Sequence, residues 1–157
     1  MVNGSKMESK KYTPCLMLVL AVALLSGCGD GKKIPPLAEI SGVVVAGGQP
    51  LSQVKVVFIP ETVEGKVLDA PQPSTAVTDE AGKFTLLYLG DPNQRGAAIG
   101  SHRITMDDIR HHESRDEPMP FRFSQSLVNA GSTPLTFEVK EGGDTSVTLD
   151  ISDHLVD

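Results

Sequence analysis

Residues 39–60 read EISGVVVAGGQPLSQVKVVFIP, two β-branched runs on either side of a Gly-Gly-Gln-Pro break. Valine and isoleucine fit a pleated, half-buried strand better than a helix, because their branched Cβ crowds the preceding helical turn. The first run, Glu39 to Ala46, stops where Gly47 and Gly48 permit positive φ and Pro50 blocks continuation of a ladder, so a hairpin-like reversal is predicted there. The second run, Val54 to Ile59, places Val54, Val56 and Phe58 on one face and ends at Pro60. A chain with this opening builds a sheet.

The same grammar continues toward the C-terminus. Glu61 to Pro73 is polar, carries two prolines and reads as a loop. Ser74 to Thr78 leads through Asp79-Glu80-Ala81-Gly82 into Lys83 to Leu89; aspartate first and glycine fourth is the preference of a type I turn, so a hairpin is predicted. After a breaker-rich loop, Gly90 to Gly96, the run Ala97 to Asp107 alternates at Ile99, His102, Ile104 and Met106. Asp108 to Thr133 spans 26 residues without a clear period, beyond ordinary loop length, and is either functional or partly disordered. Leu135 to Lys140 and Thr145 to Ile151 flank Glu141-Gly142-Gly143-Asp144 as a closing hairpin. Seven strands follow. Tryptophan is absent and no helix-period apolar stripe occurs after residue 28. The fold class is therefore all-β, a seven-stranded antiparallel β-sandwich of roughly 110 residues in which each sheet hides one apolar face against the other.

The N-terminus is of a different kind. Lys10 and Lys11 precede an uninterrupted apolar run from Cys15 to Leu25, the length of a signal h-region and too short to span a bilayer as a permanent helix. It runs into Leu25-Ser26-Gly27-Cys28, which resembles the bacterial lipobox: a branched apolar residue, two small residues that suit a tight protease subsite, and the cysteine whose thiol receives diacylglycerol. Residues 1–27 are thus expected to be a signal helix, 28–37 a tether whose Gly29 to Pro36 portion reads GDGKKIPP, and 38–157 the single folded domain. Either Met1 or Met7 would serve as the start. With Cys28 lipidated the domain has neither a free thiol nor a disulfide, and several palmitate-class chains would hold it on a membrane surface. Gly29 directly after the cysteine, with Asp30 one later, leans toward the outer membrane over the inner one, by resemblance to the known sorting rule.

The order of elements also resembles the carboxypeptidase regulatory-like domains of bacterial lipoproteins. The matching segments are SGVVVAGGQPLSQVKVVFIPE, then TDEAGKFTL, GSHRITM and STPLTFEVKEGGDTSVTLDI, in that order across about residues 38–151. The resemblance implies a transthyretin-like, or prealbumin-like, sandwich acting as a binding or structural module, and no catalytic residue comes with it. One departure is Pro120-Phe121-Arg122-Phe123, where the family carries a Pro-x-x-Tyr segment; aromatic packing can persist there while the tyrosine's hydroxyl hydrogen bond is lost.

Charge and residue types narrow the function classes. The chain has a net charge of −6, and from Cys28 onward 11 Lys and Arg face 19 Asp and Glu, a net −8, which argues against nucleic acid as a partner. His111-His112-Glu113, with Asp107 and Asp108 upstream, is the one cluster of metal-ligand types, but it lacks the i, i+4 spacing that brings two histidines to one helical face, so a solvated polar loop is the reading and no metal or other cofactor is expected. Asp79, Glu80, Glu141 and Asp144 follow no EF-hand pattern and read as turn acids bonding their own backbone. Ser101-His102 is a strand dipeptide with side chains pointing apart, and none of His102, His111, His112 and His154 sits in a nucleophile motif. The expectation is a non-enzymatic binding, adhesion or structural module of the cell envelope. Its partners would be the membrane, through lipid on Cys28, and an envelope protein or polysaccharide. The alternative is a carrier or sensor that takes a small ligand or metal through the 108–133 insertion.

Overall fold

A computed structural model describes residues 34–62, 70–113 and 119–156. The signal segment, the lipobox residues Leu25, Ser26 and Gly27, Cys28 and the tether up to Lys33 lie outside the described residues, as do 63–69 and 114–118. Ile34–Asp157 forms one compact unit.

The unit is predominantly β: two larger sheets form a sandwich-like pair, and Leu37–Ala38 and Ala97–Ala98 make a separate two-stranded sheet. The described residues hold β1 (Leu37–Ala38), β2 (Ile40–Ala46), β3 (Gln49–Pro50), β4 (Val54–Pro60), β5 (Ser74–Val77), β6 (Lys83–Thr85), β7 (Leu87–Tyr88), β8 (Ala97–Ala98), β9 (Gly100–Asp108), β10 (Thr136–Val139) and β11 (Asp144–Asp150), with a helical turn α1 (Arg110–Glu113). A five-stranded antiparallel sheet runs β10-β9-β4-β5-β7. In a second sheet β2 is central, with β11 on one side and β3 and β6 on the other. Between them lies the core: Val54, Val56, Phe58 and Ile104 from the first sheet, Ile40 and Val44 from the second, all fully buried. At 1.5–3 kcal/mol for each such side chain, this burial is the main stabilising contribution in a chain whose described part has no disulfide.

Each expected run is β structure, yet the connections differ from those read in the sequence. Eleven segments stand where seven were expected, because two runs break and two short strands are added. Gly47 and Gly48, at φ 57 and 74, do make a reversal, but it pairs β2 only with the short β3. Gln53, at φ 57, then turns the chain into the other sheet. The 74–89 hairpin is also divided: β6 pairs with β2, and β7 pairs with β5 across the sandwich. Phe84, Leu86 and Tyr88 face the core throughout, so the run keeps its alternation while bending from one sheet to the other at Leu86.

The closing hairpin is corrected outright, and with it the wholly antiparallel arrangement. β10 pairs with β9, whereas β11 crosses to the second sheet and lies parallel to β2, Asp144 opposite Ile40 and Asp150 opposite Val45. Gly142 and Gly143, at φ 90 and 74, carry the chain over, and the Asp144 amide donates to the Glu39 carbonyl at 2.9 Å. Val147, Leu149 and Ile151 point inward in either arrangement, so their alternation does not choose between them. Ile99 is a further correction. It is 40% exposed because it lies out of phase with His102, Ile104 and Met106 and precedes Gly100, whose φ of 126 separates β8 from β9.

Candidate functional site

The inward positions of β9 run His102, Ile104, Met106, Asp108, so the alternation that builds the core ends on a carboxylate with a fully buried side chain. A buried charge needs a partner and hydrogen bonds for its remaining lone pairs. Two arginines supply them. Arg122 donates from Nε to Asp108 Oδ2 at 2.9 Å and from Nη2 to Oδ1 at 2.8 Å, the bidentate fork that guanidinium and carboxylate geometry favours. Arg110, two residues beyond Asp108 in α1, donates from Nε and Nη2 at 3.2 and 3.3 Å. Arg122 also donates from Nη2 to the Ser52 carbonyl at 2.8 Å, tying the β3–β4 connection to the end of β9. Burial alone would push the Asp108 carboxyl up, but the hydrogen bonds from Arg122 and Arg110 prevail and hold it at about 2.

Around this cluster the chain forms a cleft of about 430 Å³. Arg110 and Arg122 contribute to its lining together with Leu51, Met119, Phe121 and Val156. Residues 122–124 run against 154–156: the Ser124 amide donates to the His154 carbonyl at 2.7 Å, the Val156 amide to the Arg122 carbonyl at 3.3 Å, and Phe123 bridges Leu155. Phe123 is thereby fully buried while Phe121 faces the cleft, its ring stacked on His111 with centroids 3.8 Å apart. His111 Nδ1–H donates to the Met119 carbonyl at 2.5 Å.

No family model matches the chain, and no curated protein does. Among solved structures the chain is similar to a DUF3823 family protein from Parabacteroides merdae, with 19% identity and a TM-score of 0.41 over 74% of this chain and 46% of that one. The chain thus spans less than half the length of that protein, and the site is read from its own geometry.

The structure separates most of the residues singled out in the sequence. His111 turns to Met119 and Phe121, whereas His112 Nε2 lies 3.2 Å from Asp107 Oδ1; their rings meet edge to face at 5.3 Å. Glu113 closes α1. Among the described residues no three His, Cys, Asp or Glu side chains converge in a metal-binding group. Asp79 Oδ1 accepts from the Ala81 and Lys83 amides at 2.9 and 2.8 Å, and Asp144 Oδ1 from the Ser146 amide at 2.9 Å, so both are turn-forming acids. Glu80 and Glu141 are exposed. Ser101 reaches Glu138 Oε2 at 2.5 Å, on the opposite face of β9 from His102.

Sequence reading named Asp108 only as a possible metal ligand and missed both arginines. The available signals were phase and flanking: Asp108 continues the buried parity of β9, and Arg122 stands between two phenylalanines.

His102 is a second buried polar group. Its Nδ1–H donates to the Gly100 carbonyl at 2.9 Å, while Nε2 is buried without a hydrogen-bond partner. Burial lowers its pKa below 6.5, against smaller upward contributions from the Gly100 hydrogen bond, Glu138 and Glu61. The unfolded chain therefore takes up a proton at higher pH than the folded one, and the stability associated with this residue is lost as pH falls from about 6.5 toward the folded value. The expected result is a His102 ring that takes up its proton at lower pH than an ordinary histidine by ¹⁵N NMR, and a shallower loss of stability from pH 7 to 5 in His102→Phe than in wild type. Equal slopes would refute it.

Proposed function

We propose that the protein is an extracytoplasmic lipoprotein, held on the membrane through Cys28, whose carboxypeptidase regulatory-like, transthyretin-like β domain acts as a non-enzymatic binding or structural module of the cell envelope. The observation that carries this reading is the order of the first 28 residues: a basic pair, an apolar h-region and Leu25-Ser26-Gly27-Cys28. The compact unit beginning at Ile34 supports it, since the six residues from Cys28 to Lys33, up to about 20 Å of chain, suffice to join a lipid to a folded domain. Among the described residues no helix is long and apolar enough to cross a membrane. Outer-membrane placement is the favoured alternative, on Gly29.

The non-enzymatic part rests on how the buried polar groups are used. The Asp108 oxygens are occupied by two guanidiniums, and a carboxyl held at about 2 is a weak proton acceptor at neutral pH. Ser101 and His102 face opposite sides of a strand. Envelope protein or polysaccharide remains the partner class for the module as a whole. The cleft beside Arg110 and Arg122 favours a second reading, a small-ligand carrier using part of the 108–133 segment.

The anchor is tested by intact mass spectrometry of membrane-extracted protein. A mature species beginning at Cys28 with diacylglycerol and acyl mass is expected, lost in Cys28→Ser together with membrane fractionation. A soluble, unlipidated species from the wild type would overturn the anchor.

A further inference from the structure

We propose that the cleft at Arg110 and Arg122 binds a single carboxylate carried on an apolar group, either a small free acid or the C-terminal residue of a peptide; this rests on the reading of the domain as a binding module. Two guanidiniums converge on one carboxylate, so the cluster of Asp108, Arg110 and Arg122 carries one surplus positive charge. The two arginines are not equivalent. Arg122 holds Asp108 at 2.8 and 2.9 Å and is further fixed by Ser52, whereas Arg110 makes the longer contacts, 3.2 and 3.3 Å, and is the more exposed, 27% against 19%. Arg122 alone can neutralise Asp108, so the surplus charge lies with Arg110, which donates to Asp108 from Nε and Nη2 at the longer distances and also lines the cleft.

The walls decide what the charge is attached to. Leu51, Met119, Phe121 and Val156 line the same space, with Met119 and Val156 nearly half exposed. A hydrated inorganic anion or a sugar would leave those walls against water, while an apolar acid covers them and places its carboxylate beside the Arg110 guanidinium.

The test titrates the full chain, reconstituted in phosphatidylcholine nanodiscs, with 4-methylpentanoate and with acetyl-Gly-Gly-Leu as free acid or amide, by calorimetry. Saturable binding of at least one acid is expected, with the amide and the Arg110→Gln variant each about ten-fold weaker or worse. Met119→Ser should weaken binding without lowering Tm. Binding of 4-methylpentanoate assigns small acids; binding of the tripeptide acid alone assigns protein termini. Equal affinity for acid and amide, an unchanged affinity in a folded Arg110→Gln, or no saturation by either acid up to about 10 mM would overturn the proposal. The two readings fail separately: the anchor fails if the wild-type protein carries no lipid mass, while the cleft fails only on affinity, which Cys28→Ser should leave unchanged.

Discussion

Asp108→Asn should lower the unfolding free energy at pH 7 by about 3–5 kcal/mol, because it leaves two guanidiniums facing a neutral amide where a buried carboxylate stood. Arg122→Met should be comparably harmful for the converse reason, and Arg110→Gln much milder, since Arg122 retains the short bidentate contact. The double variant Asp108→Leu with Arg122→Met should recover much of either single loss, because replacing a buried pair by apolar side chains of similar size is often neutral.

The pH dependence follows from the depressed pKa. A carboxyl near 2 in the fold and near its ordinary value in the unfolded chain contributes stability that is fully present above about 4 and is lost as pH falls toward 2, on the order of 2 kcal/mol. Urea denaturation across pH 2–7 reads both effects. Wild type should lose more stability between pH 4 and 2 than Asp108→Asn does. An Asp108→Asn midpoint equivalent to within 1 kcal/mol of wild type would reject the central role of this cluster.

What was legible beforehand depended on whether a feature is local. β4 could be read whole: Val54, Val56 and Phe58 are all fully buried on one face, because a period of two is a property of six adjacent residues. The turns were legible for the same reason, as Asp79 and Asp144 bond amides two to four residues away. Pairing across the sandwich was not. Lys83 to Tyr88 satisfies alternation whether it stays in one sheet or bends between two, and the energy that decides is the packing of Phe84, Leu86 and Tyr88 against distant residues. The candidate site was hidden likewise. Asp108 and Arg122 are fourteen positions apart, and only the close of β9 and the 122–124 run against 154–156 bring them together.

The parallel placement of β11 beside β2 gives the second large expected effect, at Gly42. A Cβ built there would lie 1.9 Å from the Val147 carbonyl oxygen and 2.7 Å from its carbon, far inside van der Waals contact, and the obstacle is backbone that cannot swing aside. This close approach coincides with the register shift between Asp144 and Val147, where β11 presses toward β2. Gly42→Ala must therefore separate two paired strands, and a loss of about 3 kcal/mol or more is expected, at or beyond the upper range for an overpacked core. Gly131→Ala, whose Cβ would meet only the Asn129 side chain at 3.4 Å, should change stability little. Hydrogen exchange adds a local readout: amide protection should fall first at Val147 to Leu149 in Gly42→Ala, and not in β10, which pairs elsewhere. Were β10 and β11 joined as the closing hairpin their sequence suggests, the Val147 backbone would not lie against Gly42 and Gly42→Ala would be tolerated. A harmless Gly42→Ala would thus overturn the parallel pairing along with the stability expectation.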